Sequence, residues 1–233
     1  MSSKAIVFDF DDTIYPEADY FQDVFFSFCS EVGWPKSAYE DIIKNFRHYR
    51  LTKKNIFSFF LQANSSIRKT NREPLPDSVL LDRLFEIYTS IETNLTPYDE
   101  AESAINIALN NGFKVGVLTN GVVNAQINKW KCLSLAAKSE ISFIPARVTG
   151  ADKPNPMAFE KMQEMLGVVI ERTVYVGDQF KNDIEYPLNA GGWGVLIADE
   201  SIQHINYDKY FRISNISSLN KITRILSESS FKF

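Results

Sequence analysis

The sequence predicts an α/β fold: a doubly wound, mostly parallel, Rossmann-like sheet carrying an inserted α-helical domain. Three observations lead there. Short runs rich in valine and isoleucine recur along the 233 residues, segments of helical period separate most of them, and one connection is about a hundred residues long. Such runs read as strands buried on both faces. Strands alternating with helices imply right-handed crossovers into a parallel sheet. A simple crossover needs only about a dozen residues, so the long connection must hold a second body.

The strands are expected at Ala5–Phe10, Lys114–Thr119, Ile141–Val148, Thr173–Val176 and Gly194–Ile197, with a weaker one at Tyr210–Ile213. Between them, Ala101, Ala104, Ile105, Ala108 and Leu109 mark a helix closed by Gly112, and Phe159, Met162, Met165 and Leu166 mark one closed by Gly167. Glycine sits where helices stop. Ile216, Leu219, Ile222 and Ile225 predict a last helix. Inside the long connection, Tyr20, Phe21, Val24, Phe25, Phe28 and Val32 form an apolar helical stripe, and Leu80, Leu81, Leu84, Phe85 and Tyr88 repeat much of it. Ile42, Ile43 and Phe46, then Ile56, Phe57, Phe59 and Phe60, predict two further helices. Residues 1–14 and 96–233 are therefore read as the sheet domain and 15–95 as the helical domain, with linkers at Pro16 and at Leu95-Thr96-Pro97.

Composition excludes several classes. With 45% hydrophobic and 23% charged residues the chain has the proportions of a soluble globular protein, not of a disordered, collagen-like or coiled-coil one. Against 29 acidic residues stand 25 basic ones, a net charge of −4. Global charge offers no reason to expect nucleic acid or an anionic membrane as partner. Cys29 and Cys132 lack disulfide or zinc spacing. No stretch approaches the roughly twenty apolar residues of a membrane span, and Met1 to Phe10 is unlike a signal peptide, so a cytoplasmic location is expected. The oligomeric state is left open.

The candidate chemistry sits at the strand ends. The first strand runs into Asp9-Phe10-Asp11-Asp12-Thr13. Sheets of this class place ligands at the carboxyl ends of their strands, so Asp9 and Asp11 can face one space. A hard cation would relieve their repulsion, and oxygen ligands with incomplete protein coordination favour Mg2+. The alternative for an isolated pair is a solvated acidic turn. Later strand ends weaken that alternative. Thr119-Asn120-Gly121 offers a hydroxyl, an amide and a glycine that lets N–H groups approach an anion. Lys153 stands just ahead of a helix, with Pro154 and Pro156 limiting its backbone. Gly177-Asp178 through Asp183 adds a second acidic pair, Asp178 as a further metal ligand and Asp183 as a carboxylate behind the ligands or in the first turn of a helix.

Taken in order, Asp9–Thr13 (DxDxT), Thr119-Asn120, Lys153-Pro154 and Gly177–Asp183 (GDxxxxD) resemble the four motifs of the haloacid dehalogenase superfamily of phosphohydrolases. The insert between the first two motifs resembles that family's helical cap of the first type. The resemblance implies that Asp9 is the nucleophile, becoming an aspartyl phosphate, and that Asp11 is first general acid and then base. It implies magnesium held by the Asp9 and Asp178 side chains and the Asp11 backbone carbonyl, with Asp183 behind them. Thr119 and Asn120 would hydrogen-bond the substrate phosphate, and Lys153 would balance charge on the transferring group. Thr13 reads as a structural hydroxyl.

The second aspartate, Asp11, is absent from dehalogenases like the founding members, which disfavours carbon–halogen cleavage. A phosphotransferase or phosphomutase keeps it. The linker Lys129–Ser139 and the stretch before Lys153 depart from the family pattern without touching a catalytic position.

Specificity is expected in the insert. Between Ile42 and Arg72 lie eight basic residues (Lys44, Arg47, Arg50, Lys53, Lys54, Arg68, Lys69 and Arg72) and no acidic ones. They either steer an anionic substrate or acidic partner, or form solvated helix faces. Asp11 to Glu17 is similar to family members acting on pyrimidine nucleoside monophosphates, and Tyr15, Phe57, Phe59 and Phe60 either stack on a base or form core. The expected function is a magnesium-dependent phosphatase, acting on a nucleoside monophosphate or a sugar phosphate as its small partner. The rival is a non-catalytic regulatory protein that binds a partner through its basic cap.

Overall fold

The structure, a computed structural model, describes residues 3–53, 55–69, 75–198 and 209–214. Contacts divide the chain into two compact units, one of Met1–Pro16, Thr96–Ile127 and Leu133–Phe233, the other of Glu17–Leu95 and Asn128–Cys132. Tyr15 and Pro16 stay with the first unit, and five residues from a later helix join the second.

The first unit is built on a parallel six-stranded sheet, as the alternating pattern predicts. Its strands are β1 (Lys4–Phe8), β2 (Phe113–Thr119), β3 (Ile141–Pro145), β4 (Thr173–Gly177), β5 (Trp193–Ile197) and β6 (Tyr210–Ile213), in the spatial order β3-β2-β1-β4-β5-β6. β1 is central, with Ile6 opposite both Val115 and Val174, and Ala5 to Phe8 are almost fully buried. Between β1 and β4 the strand order reverses, which is where open α/β sheets form a crevice at their carboxyl ends.

Two strands are shorter than their apolar runs. β1 ends at Phe8, because the chain folds back on itself after Asp9, although Phe10 is buried. β3 ends at Pro145 and winds into a 3-10 turn, Ala146–Thr149, leaving Val148 63% exposed.

Among the flanking helices, the one at Asp99–Asn110 buries Ala101, Ala104, Ile105 and Ala108. Pro156–Leu166 begins on Asn155, whose side chain accepts the Met157 N–H, and stops at left-handed Gly167. Phe159, Met162 and Leu166 from this helix pack with Val7, Leu118 and Tyr175 of the sheet. The helix predicted from Ile216 lies outside the described residues.

The second unit is helical. In chain order, α1 (Glu17–Val32), α2 (Ser37–Lys44), α3 (Phe46–Thr52), α4 (Ile56–Ala63), α5 (Ser65–Lys69) and α6 (Asp77–Ser90) come first. The sheet-flanking helix Asp99–Asn110 is α7; α8 is Val123–Cys132, Pro156–Leu166 is α9 and Glu185–Asn189 is α10. The unit's core is aromatic. Phe25 stacks on Phe60 with centroids 4.4 Å apart, and Phe21 touches Phe46, Phe57 and Tyr88. Such ring pairs add about 0.5–1.5 kcal/mol each beyond burial. Phe57 and Phe60 are thus core, and Phe59 packs on Tyr49 with the Lys53 ammonium over its face. Arg50, one of the eight basic residues, donates to the buried Glu17 carboxylate at 2.9 Å.

Candidate active site

Four segments at the carboxyl ends of the strands assemble one polar cluster, all within the sheet unit. The Asp9 N–H still donates to the Val176 carbonyl, 2.7 Å away, so Asp9 stays beside the end of β4. The chain then reverses. The Thr13 and Ile14 N–H groups donate to the Phe10 carbonyl, the Asp12 N–H donates to the Tyr15 carbonyl, and Asp12 takes a left-handed φ of 55°. Aspartate tolerates that conformation better than most side chains. The reversal carries Tyr15 onto Asp11, where its hydroxyl donates to Asp11 Oδ1 at 2.5 Å. The Tyr15 ring is fully buried against Phe10, so it is not a surface for stacking a base.

Beyond β2, Thr119 is 1% exposed and its hydroxyl donates to the Asn120 carbonyl at 3.2 Å. Asn120 grips the next loop: its Oδ1 accepts the Lys153 N–H at 2.7 Å and its Nδ2 donates to the Lys153 carbonyl at 2.9 Å. Two reciprocal bonds fix both the position and the direction of that backbone. At most one Asn120 amide proton then remains for an oxyanion. The Lys153–Pro154 peptide is cis. Lys153 is buried, and its Nζ donates to Asp9 Oδ1 at 2.6 Å and to Asp183 Oδ1 at 2.7 Å.

After β4, a single π-helical turn, Phe180–Ile184, swings Asp183 back under the strand end. Asp183 Oδ2 accepts the Gln179 N–H at 3.0 Å. Its carboxylate occupies the space a Cβ at position 177 would need, so only glycine fits there.

The result is that Asp9, Asp178 and Asp183 each offer an oxygen within 4.8 Å of the others. Asp11, by contrast, turns its carboxylate to Tyr15 and to a residue that motif reasoning did not single out, Gln126. Gln126 is 1% exposed, and its Nε2 donates at 2.8 Å both to Asp11 Oδ2 and to the Asn120 carbonyl. A signal for it was present: a glutamine five residues past Gly121, in the first turn of α8 just after the loop that follows β2, can reach back over that loop. Gly121 makes the room. Its φ is 131°, and a Cβ there would stand 2.6 Å from Gln126 Nε2.

The electrostatics call for a cation. Three carboxylates share the cluster with one ammonium, which pairs with Asp9 and Asp183. Burial raises the Asp9 pKa well above the ordinary carboxylate range; Lys153 opposes this, while Asp183 and Asp178 add to it. For Lys153, burial disfavours the charge, but Asp183 and Asp9 outweigh it and raise its pKa, so it stays an ammonium. Surplus negative charge on hard oxygen donors fits a divalent ion such as magnesium.

Residues 3–191 match the model of the haloacid dehalogenase-like hydrolases. The chain belongs to that family. It is thus a hydrolase, as the ordered motifs implied. The glyceraldehyde 3-phosphate phosphatase of Methanopyrus kandleri is 26% identical over 196 residues, covering 81% of each chain. That of Methanothermobacter thermautotrophicus is 25% identical over 211 residues, 84% of this chain and 86% of its own. Among solved structures, a magnesium-bound HAD hydrolase from Bacillus subtilis shares the fold with a TM-score of 0.65 at 18% identity, covering 96% of this chain and 99% of that one.

Proposed function

We propose that this HAD hydrolase is a magnesium-dependent phosphomonoesterase that acts on a small phosphorylated sugar through an aspartyl phosphate on Asp9. The observation that carries the reading is the buried Lys153 ammonium bridging Asp9 and Asp183 beside Asp178, at the crevice between β1 and β4. A binding module has no need of a carboxylate cluster held this tightly around one lysine.

In the first half-reaction an Asp9 oxygen attacks phosphorus, the bond to the leaving oxygen breaks, and the Asp11 carboxyl protonates that oxygen. In the second, the Asp11 carboxylate takes a proton from water, the water oxygen attacks phosphorus, and the acyl phosphate bond to Asp9 breaks to release phosphate. Lys153 and the remaining amide proton of Asn120 offset charge on the phosphoryl oxygens, joined by Thr119 when its hydroxyl turns from the Asn120 carbonyl to the phosphate. Asp183 holds Lys153 in place. Magnesium, held by the Asp9 and Asp178 side chains and the Asp11 main-chain carbonyl, would screen the attacking carboxylate from the phosphate dianion.

The sugar phosphate is preferred to a nucleoside monophosphate on two grounds. The relatives named above are glyceraldehyde 3-phosphate phosphatases. Of the four rings that could have stacked on a base, Tyr15, Phe57 and Phe60 are buried in the cores of their units, and Phe59, half-buried, is engaged by Tyr49 and the Lys53 ammonium.

Phosphate release from p-nitrophenyl phosphate, then from triose phosphates and nucleoside monophosphates, tests the proposal. Magnesium-dependent release is expected to fall by about 10³-fold or more in Asp9→Asn. Activity unchanged by Asp9→Asn, or by chelation of divalent ions, would overturn it, and faster turnover of nucleotides than of sugar phosphates would overturn the substrate class.

A further inference from the structure

We infer that Gln126 and Tyr15 are positioning residues that aim the Asp11 carboxylate, with Gln126 also tying Asp11 to the loop that fixes Lys153. The inference rests on the acid/base role proposed for Asp11. Tyr15 Oη–H donates to Asp11 Oδ1 at 2.5 Å and Gln126 Nε2–H donates to Asp11 Oδ2 at 2.8 Å. Two donors arriving from different segments define the plane of a carboxylate, which a single bond leaves free to rotate. Both donors are themselves buried and held. The Tyr15 ring is packed on Phe10, and the second Gln126 amide proton is bound by the Asn120 carbonyl.

The same glutamine closes a chain of contacts. Asp11 joins Gln126, Gln126 joins the Asn120 main chain, the Asn120 side chain joins the Lys153 main chain, and Lys153 Nζ joins Asp9 and Asp183. The proton-transferring carboxylate and the attacking carboxylate are thus registered through one lysine-bearing loop. A misplacement of about 1 Å in such a group can cost a factor of about 100.

Leaving-group chemistry separates positioning from mere stability. p-Nitrophenolate departs without a proton, whereas an alkoxide from glycerol 3-phosphate needs one. In Gln126→Met, which keeps side-chain length and loses both hydrogen bonds, kcat/KM for glycerol 3-phosphate is expected to fall about tenfold or more beyond its fall for p-nitrophenyl phosphate. Water attack also needs the aimed base, so phosphoenzyme should accumulate with p-nitrophenyl phosphate, seen as a burst of nitrophenolate and as trapped acyl phosphate. Tyr15→Phe, which removes one hydroxyl only, is expected to show the same bias more weakly. Thermal unfolding of both variants checks that they are folded. Equal losses on the two substrates, or no loss, would overturn the positioning roles. Asp11→Asn serves as the reference: if it too shows no leaving-group bias, the acid/base reading of Asp11 falls, and the positioning proposal falls with it for that separate reason.

Discussion

Lys153 shows how one side chain can hold a site together. Its ammonium lies 2.6 Å from Asp9 and 2.7 Å from Asp183, all three groups being nearly sealed from water. A buried charge keeps its ionised form only when paired and hydrogen-bonded, and removing one partner typically costs about 3–5 kcal/mol. Lys153→Met, of similar length but uncharged, is therefore expected to destabilise the metal-free protein by about that amount in urea unfolding; a loss below about 1 kcal/mol would show that the carboxylates relax without it. Asp9, Asp11, Asp178, Asp183 and Lys153 could be singled out in the sequence because they recur in order at successive strand ends, although each alone reads as a solvated turn or loop charge. Gln126 left only a faint signal, its place in the first turn of the helix after Gly121, because glutamine is ordinary on helices and its importance comes from what stands 2.8 Å away. The committed Asn120 amide was hidden for the same reason, since its partner is main chain thirty-three residues on.

At the scale of elements, α8 has an unusual second half. Asn128 Nδ2 donates to the Tyr20 hydroxyl and the Ile91 carbonyl, the Leu95 N–H donates to the Cys132 carbonyl, and the fully buried Lys129 lies 3.1 Å from Glu17. The Tyr20, Phe21 and Tyr88 rings surround that ammonium at 5.3–5.8 Å. These contacts explain why Asn128–Cys132 belongs with the helical unit. Glu17→Gln removes the carboxylate beside a buried ammonium and is expected to cost about 3 kcal/mol, with Lys129→Met recovering much of it in the double variant. Chemical denaturation of the four proteins measures the coupling, and additive losses would show that the pair does not act as one. Hydrophobic period located α1, α4, α6, α7 and α9, since each buries one stripe. Between Ile42 and Phe60 it resolved two helices where α2, α3 and α4 stand, because turns this short leave the apolar rhythm nearly unbroken. Arg50 read as part of a basic surface, yet its guanidinium is bound to Glu17. Steering by this stretch is therefore better tested on Arg47 and Lys53, whose neutralisation should reduce kcat/KM and its salt dependence if a positive field draws the substrate in.

For the whole molecule, the carboxylate cluster makes stability depend on pH and on divalent ions together. The Asp9 pKa is raised in the folded state, so the native protein holds a proton that the unfolded chain releases near pH 4. Metal-free stability should fall as pH climbs from there through the raised pKa, then level off. Magnesium, binding the native cluster, is expected to restore stability at neutral pH, by about 2.7 kcal/mol at a hundredfold excess over its Kd. Melting temperatures against pH, with chelator and with magnesium, check both signs; curves that coincide would remove the metal from the cluster. By itself the chain determined its class of fold, its large helical insert and the four strand-end motifs, because local period, punctuation and composition are properties of neighbours in sequence. Only the tertiary structure decided which atoms meet: that Lys153 bridges two aspartates, that Asn120 holds the Lys153 backbone, that Tyr15 and Gln126 take hold of Asp11. Those pairings join segments up to 144 residues apart, Asp9 with Lys153 being the longest. No spacing rule reaches that far, since the distance between such atoms is set by how the sheet closes and not by the chain between them.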